Sequence, residues 1–161
     1  NFGNLFSDKI LEKVNLYVNG KDESAHRCSA ELIAGILRGS KHWSHNNIID
    51  LKNKLEPIIR QVYGNITNDT LYDWGTCSAT IFENRDPRRF VWILNVYFDD
   101  PLKDGGNSLS AFLQASRLYI LLGAVNQMEW KGQKVLKQML VYLEEKHLTH
   151  SYQNVRDRIA R

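Results

Sequence analysis

Three arginines beside an aspartate–proline pair are the clearest candidate for chemistry in the sequence. Arg85, Arg88 and Arg89 surround Asp86 and Pro87. Aspartate followed by proline predicts a helix that starts here, with the proline in its first position. The free N–H groups of a helix N-terminus bind anions, and guanidinium groups bind phosphate oxygens in pairs. The pattern therefore suits an anion site, and the alternatives are a solvated loop or arginines that pair with acids of a neighbouring repeat.

A second concentration of positive charge lies at the C-terminal end. From Trp130 onward there are three acidic side chains and seven basic ones, namely Lys131, Lys134, Lys137, Lys146, Arg156, Arg158 and Arg161. Such a surface suits an acidic protein, a nucleic acid or an internal face of a larger assembly. The aromatic residues do not alternate with these charges as a base-stacking surface requires, so we expect no direct nucleic-acid binding.

Residues for catalysis and metal binding form no recognisable pattern. The five histidines lack metal-ligand spacing, and the glycines form no phosphate-binding loop. The adjacent acids Asp99–Asp100 and Glu144–Glu145 lie near helix ends, where neighbours in sequence do not face each other. Cys28 and Cys77 are far apart, and we expect both to be buried free thiols. We therefore predict no enzyme activity, no catalytic residue and no metal site, and we assign no cofactor-binding residue.

Composition restricts the class of protein. The chain has 161 residues, of which 43% are hydrophobic and 24% are charged, with a net charge of +3. This excludes a disordered chain, and the absence of a run of about 20 apolar residues predicts no membrane-spanning helix. The sequence begins at Asn1 without a signal-peptide pattern, and both ends lie in helical patterns. We therefore expect residues 1–161 to be a single segment of a longer protein.

The hydrophobic periodicity predicts helices and no strand of any length. In the second helix, Cys28, Leu32, Gly35 and Ile36 share the face expected to be buried. In the third, Pro57 is expected to kink or divide the helix. The eight predicted helices are about Asp8–Val18 with a Ser7 cap, one from an Asp22 cap to Gly39, Asn46–Tyr63, one from a Thr67 cap, one from Asp86 to the turn at Pro101, Ser108–Gly123, Trp130–Glu145 and one from a Ser151 cap.

Helix spacing predicts the architecture. The odd-numbered helices begin near residues 8, 46, 87 and 130, a spacing of about 40 residues. That is the period of HEAT and armadillo repeats, in which each helical hairpin packs on the next. The predicted fold is all-α, an α-solenoid of about four HEAT/armadillo-like helical hairpins.

Three sequence segments resemble one family in particular. They are Arg27–Trp43 (RCSAELIAGILRGSKHW), Tyr72–Arg89 (YDWGTCSATIFENRDPRR) and Arg117–Arg158, whose clearest parts are RLYILLGAVNQMEW and SYQNVRDRI. They resemble the C-terminal half of the proteasome activator complex subunit 4 family, the very large single-chain HEAT-repeat proteasome activators. The resemblance covers about residues 26–161.

The resemblance implies a function that the composition does not. Members of this family form a dome on the 20S proteasome core, open its gate without ATP, and promote the degradation of peptides and acetylated histones. They are nuclear and cytoplasmic, and they hold inositol polyphosphate in basic openings at positions that the resemblance does not place on this sequence. The expectation is a non-enzymatic scaffold segment whose partner, through the parent chain, is the 20S proteasome, with acetylated histones as further partners and no membrane. The alternative is a HEAT-repeat binding module with a basic face for inositol polyphosphate or an acidic protein.

Overall fold

The computed structural model describes residues 2–83, 87–102, 110–128 and 133–161, and every regular element within them is helical. The predicted all-α fold is therefore confirmed. Short 3-10 helices cover Ser40–His42 and Pro87–Phe90. The α-helices of the described residues are α1 (Phe2–Val18), α2 (Glu23–Gly39), α3 (His45–Gly64), α4 (Asn68–Phe82), α5 (Val91–Leu102), α6 (Ala111–Met128), α7 (Gln133–His147) and α8 (Gln153–Ile159).

The helices form two layers. Helices α2, α4, α6 and α8 pack in series, each on the next, and α1, α3 and α5 form a parallel series beside them. Contacts of α1 with α2 and of α5 with α6 join the two layers, and α7 packs on α8. This is the stacking of helical hairpins that a solenoid predicts.

One continuous apolar core runs between the layers. It extends from Leu11 in α1 to Met139 in α7, and it includes Leu55, Ile81 and Leu94, which are fully buried. A smaller cluster around Leu118 and Val155 joins α6 to α8. Since every hairpin contributes to the same core, no hairpin is an independent folding unit.

Capping residues place the starts of α2 and α4 as the sequence predicts. The Asp22 carboxylate accepts a hydrogen bond from the Ala25 backbone N–H at 3.2 Å. At α4, Thr67 accepts from the Thr70 N–H, and the Thr70 hydroxyl accepts from the Thr67 N–H, which completes a capping box. These bonds satisfy backbone donors that a helix start leaves unpaired.

Two predicted interruptions do not occur. Pro57 does not divide α3, which is continuous from His45 to Gly64 with Leu55, Ile58 and Ile59 buried in the core, and a kink at Pro57 stays a prediction. Gly123 does not end α6, which continues to Met128. An added Cβ at Gly123 would lie only 2.8 Å from the Gly75 carbonyl oxygen, so this glycine permits the close approach of α4 and α6.

Other helix ends differ from the prediction. Helix α1 begins at Phe2, so Ser7 lies inside it, and α5 continues through Pro101 to Leu102. The cap of α8 is Tyr152, without a side-chain hydrogen bond, instead of Ser151. The predicted starts at Asp86, Ser108 and Trp130 lie outside the described residues.

The buried face of α2 is rotated from the predicted one. Cys28 is exposed, and Gly35 is also on the solvent side. The side chains that face the core are His26, Ser29, Ala30, Ile33, Ala34 and Leu37. The prediction of a buried Cys28 is therefore wrong, because the polar His26 and Ser29 lie inside with hydrogen bonds of their own. The prediction for Cys77 is confirmed, since that thiol is buried.

Candidate functional site

Arg89 is the one arginine of the predicted anion cluster whose side chain the structure describes. It lies on the 3-10 helix that precedes α5, and its guanidinium donates to the backbone oxygens of Lys41 and Trp43, the latter at 2.8 Å. It therefore binds the connection between α2 and α3, one hairpin earlier in the sequence. Arg85 and the Arg88 side chain lie outside the described part.

Two of the C-terminal arginines also make internal contacts. Arg156 donates to the backbone oxygens of His150 and Ser151, which closes the turn before α8. The Arg158 guanidinium lies 5.0 Å from the Tyr119 ring centroid, a cation–π contact between α8 and α6. Arg161, Lys134 and Lys137 are exposed, while Lys131 and the Lys146 side chain lie outside the described part.

Polar contacts between hairpins recur at the repeat period. They join residues 42 to 54 positions apart, so each connects an element to its counterpart in the next hairpin or the helix beside it. We call them the inter-repeat contacts: Lys54–Asp8, Arg38–Glu83, Ser78–Ile120, Arg89–Trp43, Arg117–Tyr63 and Asn154–Ala111. Exposed pairs contribute little to stability, so the buried members matter most.

Arg117 makes the most deeply buried of these contacts with a charged group. Its side chain is only 6% exposed, and its Nε and Nη2 atoms donate to the Tyr63 carbonyl oxygen at 3.2 and 3.1 Å. The guanidinium also lies 5.7 Å from the centroid of the Tyr63 ring. A cation at the C-terminal end of α3 is stabilised by the unpaired carbonyls there. The sequence offered no signal for this role, because arginine in an amphipathic helix usually faces solvent.

Ser78 makes a second buried contact. Its hydroxyl donates to the Ile120 carbonyl oxygen at 2.8 Å and connects α4 to α6. Beside it, the Tyr119 ring covers Gly75, where an added Cβ would lie 2.5 Å from a ring carbon. Small residues on α4 and a buried hydroxyl together fix how the second and third hairpins pack. The sequence did not indicate the acceptor of Ser78, because Ile120 is 42 residues away along the chain.

Two histidines are buried and contact other groups of the chain. His26 is buried, and its Nε2 donates to the Gly20 carbonyl oxygen at 3.0 Å across the turn between α1 and α2. His147 is also buried, and it stacks on His150 with ring centroids 6.1 Å apart. Among the described residues, no group of three or more His, Cys, Asp or Glu side chains is placed to hold a metal ion.

The buried thiol is not arranged as a nucleophile. Burial raises the pKa of Cys77 to about 12, so the thiol is protonated at neutral pH. Burial likewise raises the pKa of Tyr63 and of Tyr97, whose rings meet edge to face at 5.3 Å. These three groups belong to the core between α3, α4 and α5, away from solvent.

A groove with charged residues in its lining lies between α2 and α4. It encloses about 490 Å³, with Ala30 and Ala34 in its lining. Arg27 lies 3.6 Å from Glu31 and 3.9 Å from Asp73, which are long distances for ion pairs. Positive and negative groups thus alternate along the groove, so it selects no single sign of charge.

The geometry defines a class of protein: a two-layer α-solenoid whose hairpins are held together by a shared core and by inter-repeat contacts. No helix of the described part is long and apolar enough to cross a membrane.

Comparison with known proteins then gives the family. Residues 1–123 match the family described as "Proteasome activator complex subunit 4-like, HEAT repeat-like". The chain is 43% identical to proteasome activator complex subunit 4 of Bos taurus, and 42% identical to subunit 4A of Danio rerio and subunit 4 of Homo sapiens. The chain belongs to this family. Each match covers 99% of the chain and 8% of the relative, so the chain spans a small part of their length.

Proposed function

We propose that this chain is a wall segment of an ATP-independent activator that caps the 20S proteasome and opens its gate. The observation that carries the proposal is 42–43% identity to proteasome activator complex subunit 4 proteins across 99% of the chain. Similarity at this level over four hairpins supports a shared architecture. The resemblance noted from the sequence supplies the 20S core as the partner.

The contribution of the segment is geometric. Buried contacts such as Arg117–Tyr63 and Ser78–Ile120 fix the angle between successive hairpins. A fixed angle, repeated along a solenoid, sets the curvature of the whole wall. In this proposal the segment itself performs no chemistry, and the activator promotes the degradation of peptides and acetylated histones in the nucleus and the cytoplasm.

Peptide hydrolysis by purified 20S core tests this function. The full-length parent, added without nucleotide, is expected to raise the hydrolysis of a short fluorogenic peptide severalfold. A parent that lacks residues 1–161 is expected to give no stimulation, because the wall is interrupted. 20S proteasome core whose gate is opened by mild detergent is the control, because it shows the intrinsic peptidase activity of the 20S core. A parent that fails to stimulate, or that needs ATP, contradicts the proposal.

The binding-module alternative stays a prediction. It requires a basic face for inositol polyphosphate or an acidic protein, and Arg89, Arg156 and Arg158 already contact groups within the chain. Inositol hexakisphosphate is expected to raise the melting temperature if such a face exists. The scaffold role therefore has the stronger support.

A further inference from the structure

A small internal cavity lies in the core where the first three hairpins meet. Eight described side chains from five helices, α2 to α6, line it, and they leave about 10 Å³ for the centre of a water molecule. Four of these side chains are aliphatic, and the others are Tyr63, Trp74, Cys77 and Tyr97. We call it the central cavity.

Two residues that line the central cavity carry polar atoms without a hydrogen bond in the described part of the chain. These atoms are the Tyr63 hydroxyl oxygen and the Trp74 indole nitrogen. The two residues are only 2% and 5% exposed, so bulk solvent does not pair with them. An unpaired buried donor is costly, and native proteins pair nearly all such groups. Two of them at one cavity indicate a partner that both share.

The neighbouring tyrosine does not supply that partner. Tyr97 lies beside Tyr63 and Ser78, and its ring meets the Tyr63 ring edge to face with the centroids 5.3 Å apart. The Tyr63 hydroxyl nevertheless makes no hydrogen bond of normal geometry to a described residue. The shared partner must therefore come from outside these side chains.

The size and the lining of the central cavity restrict the chemistry of this partner. An indole N–H only donates, so a molecule that bonds to it must be an acceptor. None of the described lining side chains is charged, and a buried ion without a countercharge is very costly. A space of this size holds one water molecule, and buried water is stable where two or more polar groups bind it. Cys77 lines both the cavity and the groove between α2 and α4, which gives water a short way in.

We propose that the central cavity binds one water molecule, which accepts a hydrogen bond from the Trp74 indole N–H and bonds to the Tyr63 hydroxyl. The water joins α3 to α4 inside the core. Tyr63 is then held at its carbonyl oxygen by Arg117 and at its hydroxyl by the water. This inference goes beyond the proposed function, because it concerns the interior of the segment and requires no proteasome.

A density map of the purified full-length polypeptide, at a resolution that shows ordered water, tests the proposal directly. We expect one peak inside the central cavity, within hydrogen-bond distance of both Trp74 Nε1 and Tyr63 Oη. A map that shows other buried waters and no peak here overturns the proposal. A peak that contacts only one of the two atoms overturns it as well.

Hydrogen exchange of the α4 backbone amides, measured by mass spectrometry on the same polypeptide, tests whether the two groups bind the same molecule. Tyr63→Phe removes the hydroxyl, and benzothienylalanine in place of Trp74 keeps the shape of the indole and removes its N–H. Each change is expected to raise the exchange rate roughly fivefold, as the loss of one hydrogen bond does. The two changes together are expected to give less than the product of their effects, because they act on one water.

The control variant is Tyr72→Phe. It removes a hydroxyl from a tyrosine of α4 that is 70% exposed, and it is expected to leave the exchange rate unchanged. If the two buried groups have no partner, removing either one relieves a cost and slows the exchange. Slower or unchanged exchange in the Tyr63 and Trp74 variants therefore contradicts the proposal, and effects that multiply show that the two groups do not share a water.

Discussion

At the scale of single residues, the core between α3, α4 and α5 buries the weakly acidic side chains of Tyr63, Tyr97 and Cys77. Burial raises the pKa of Tyr63, of Tyr97 and of Cys77, the last to about 12 from an ordinary value of 9.0. The folded state holds these protons more tightly than the unfolded chain does. The contribution of the three groups to the free energy of unfolding is therefore fully present below pH 9. It is lost as the pH rises through the folded-state values.

This predicts destabilisation in alkali. The free energy of unfolding is expected to fall by up to about 1.4 kcal/mol per pH unit for each group that titrates only in the unfolded chain. Urea unfolding between pH 8 and 11 measures it. Cys77→Ala is expected to flatten the slope between pH 9 and 10, where the tyrosines contribute little. A stability that does not change with pH over this range contradicts the burial of these groups.

Arg117 permits a second prediction at this scale. Arg117→Met removes both hydrogen bonds to the Tyr63 carbonyl oxygen, and it is expected to cost about 2–3 kcal/mol of unfolding free energy. Arg27→Met is the matched control, because its side chain is 68% exposed and its ion pairs are long. The control is expected to cost under about 1 kcal/mol. Equal losses in urea unfolding are incompatible with a structural role for Arg117.

At the scale of helices, the contact between α4 and α6 depends on two glycines. Gly123→Ala places a methyl group against the backbone of Gly75, which a rotamer change cannot relieve. We expect it to lower the free energy of unfolding by about 1–3 kcal/mol, as overpacking does. Gly35→Ala is the control, because nothing lies within 4 Å of the added methyl group in mid-α2.

The two variants should move in opposite directions. Gly35→Ala is expected to stabilise the protein by about 0.5–1 kcal/mol through helix propensity alone. Thermal unfolding followed by circular dichroism gives both values. If Gly123→Ala also raises the melting temperature, the close approach of α4 and α6 is not present.

Local sequence signals predicted most of the helices. They did not predict which face of a helix is buried or how closely two helices pack. Asp22 and Thr67 cap the helices that they were expected to cap, because capping is decided within one turn. Gly123 was interpreted as a helix end because its partner, Gly75, is 48 residues away in sequence. Cys28 was placed inside because the pattern of apolar residues does not show that the polar His26 and Ser29 are buried, where they donate to the Gly20 and Ala25 carbonyl oxygens.

The candidate site was less predictable than the fold. The sequence placed Arg89 in a candidate anion site and Arg158 in a basic C-terminal surface, but their partners within the chain are a distant loop and a tyrosine ring. Their partners are about one repeat away along the chain, at separations that a single sequence cannot connect. The repeat period of about 40 residues could be predicted from the sequence, but the contacts between the repeats could not.

At the scale of the whole molecule, the proposed function depends on helix packing and not on a surface site. The shared core and the inter-repeat contacts join every hairpin to the next. The groove between α2 and α4 is open, but positive and negative side chains both line it. Its residues do not form the pattern of a known catalytic or ligand-binding site. The segment is therefore expected to tolerate change on this surface and not between its layers.

Stimulation of peptide hydrolysis by 20S core tests that claim most directly, with two variants of the full-length parent compared at equal concentration. Arg27→Gln with Tyr72→Ser alters the groove at side chains that are mostly exposed, and it is expected to keep the stimulation of the unchanged parent. Gly123→Ala, which opens the α4–α6 contact, is expected to reduce it. Loss of stimulation in the groove variant, with its circular dichroism and melting temperature unchanged, would show that a surface site carries the function. That result would contradict the scaffold role of the segment.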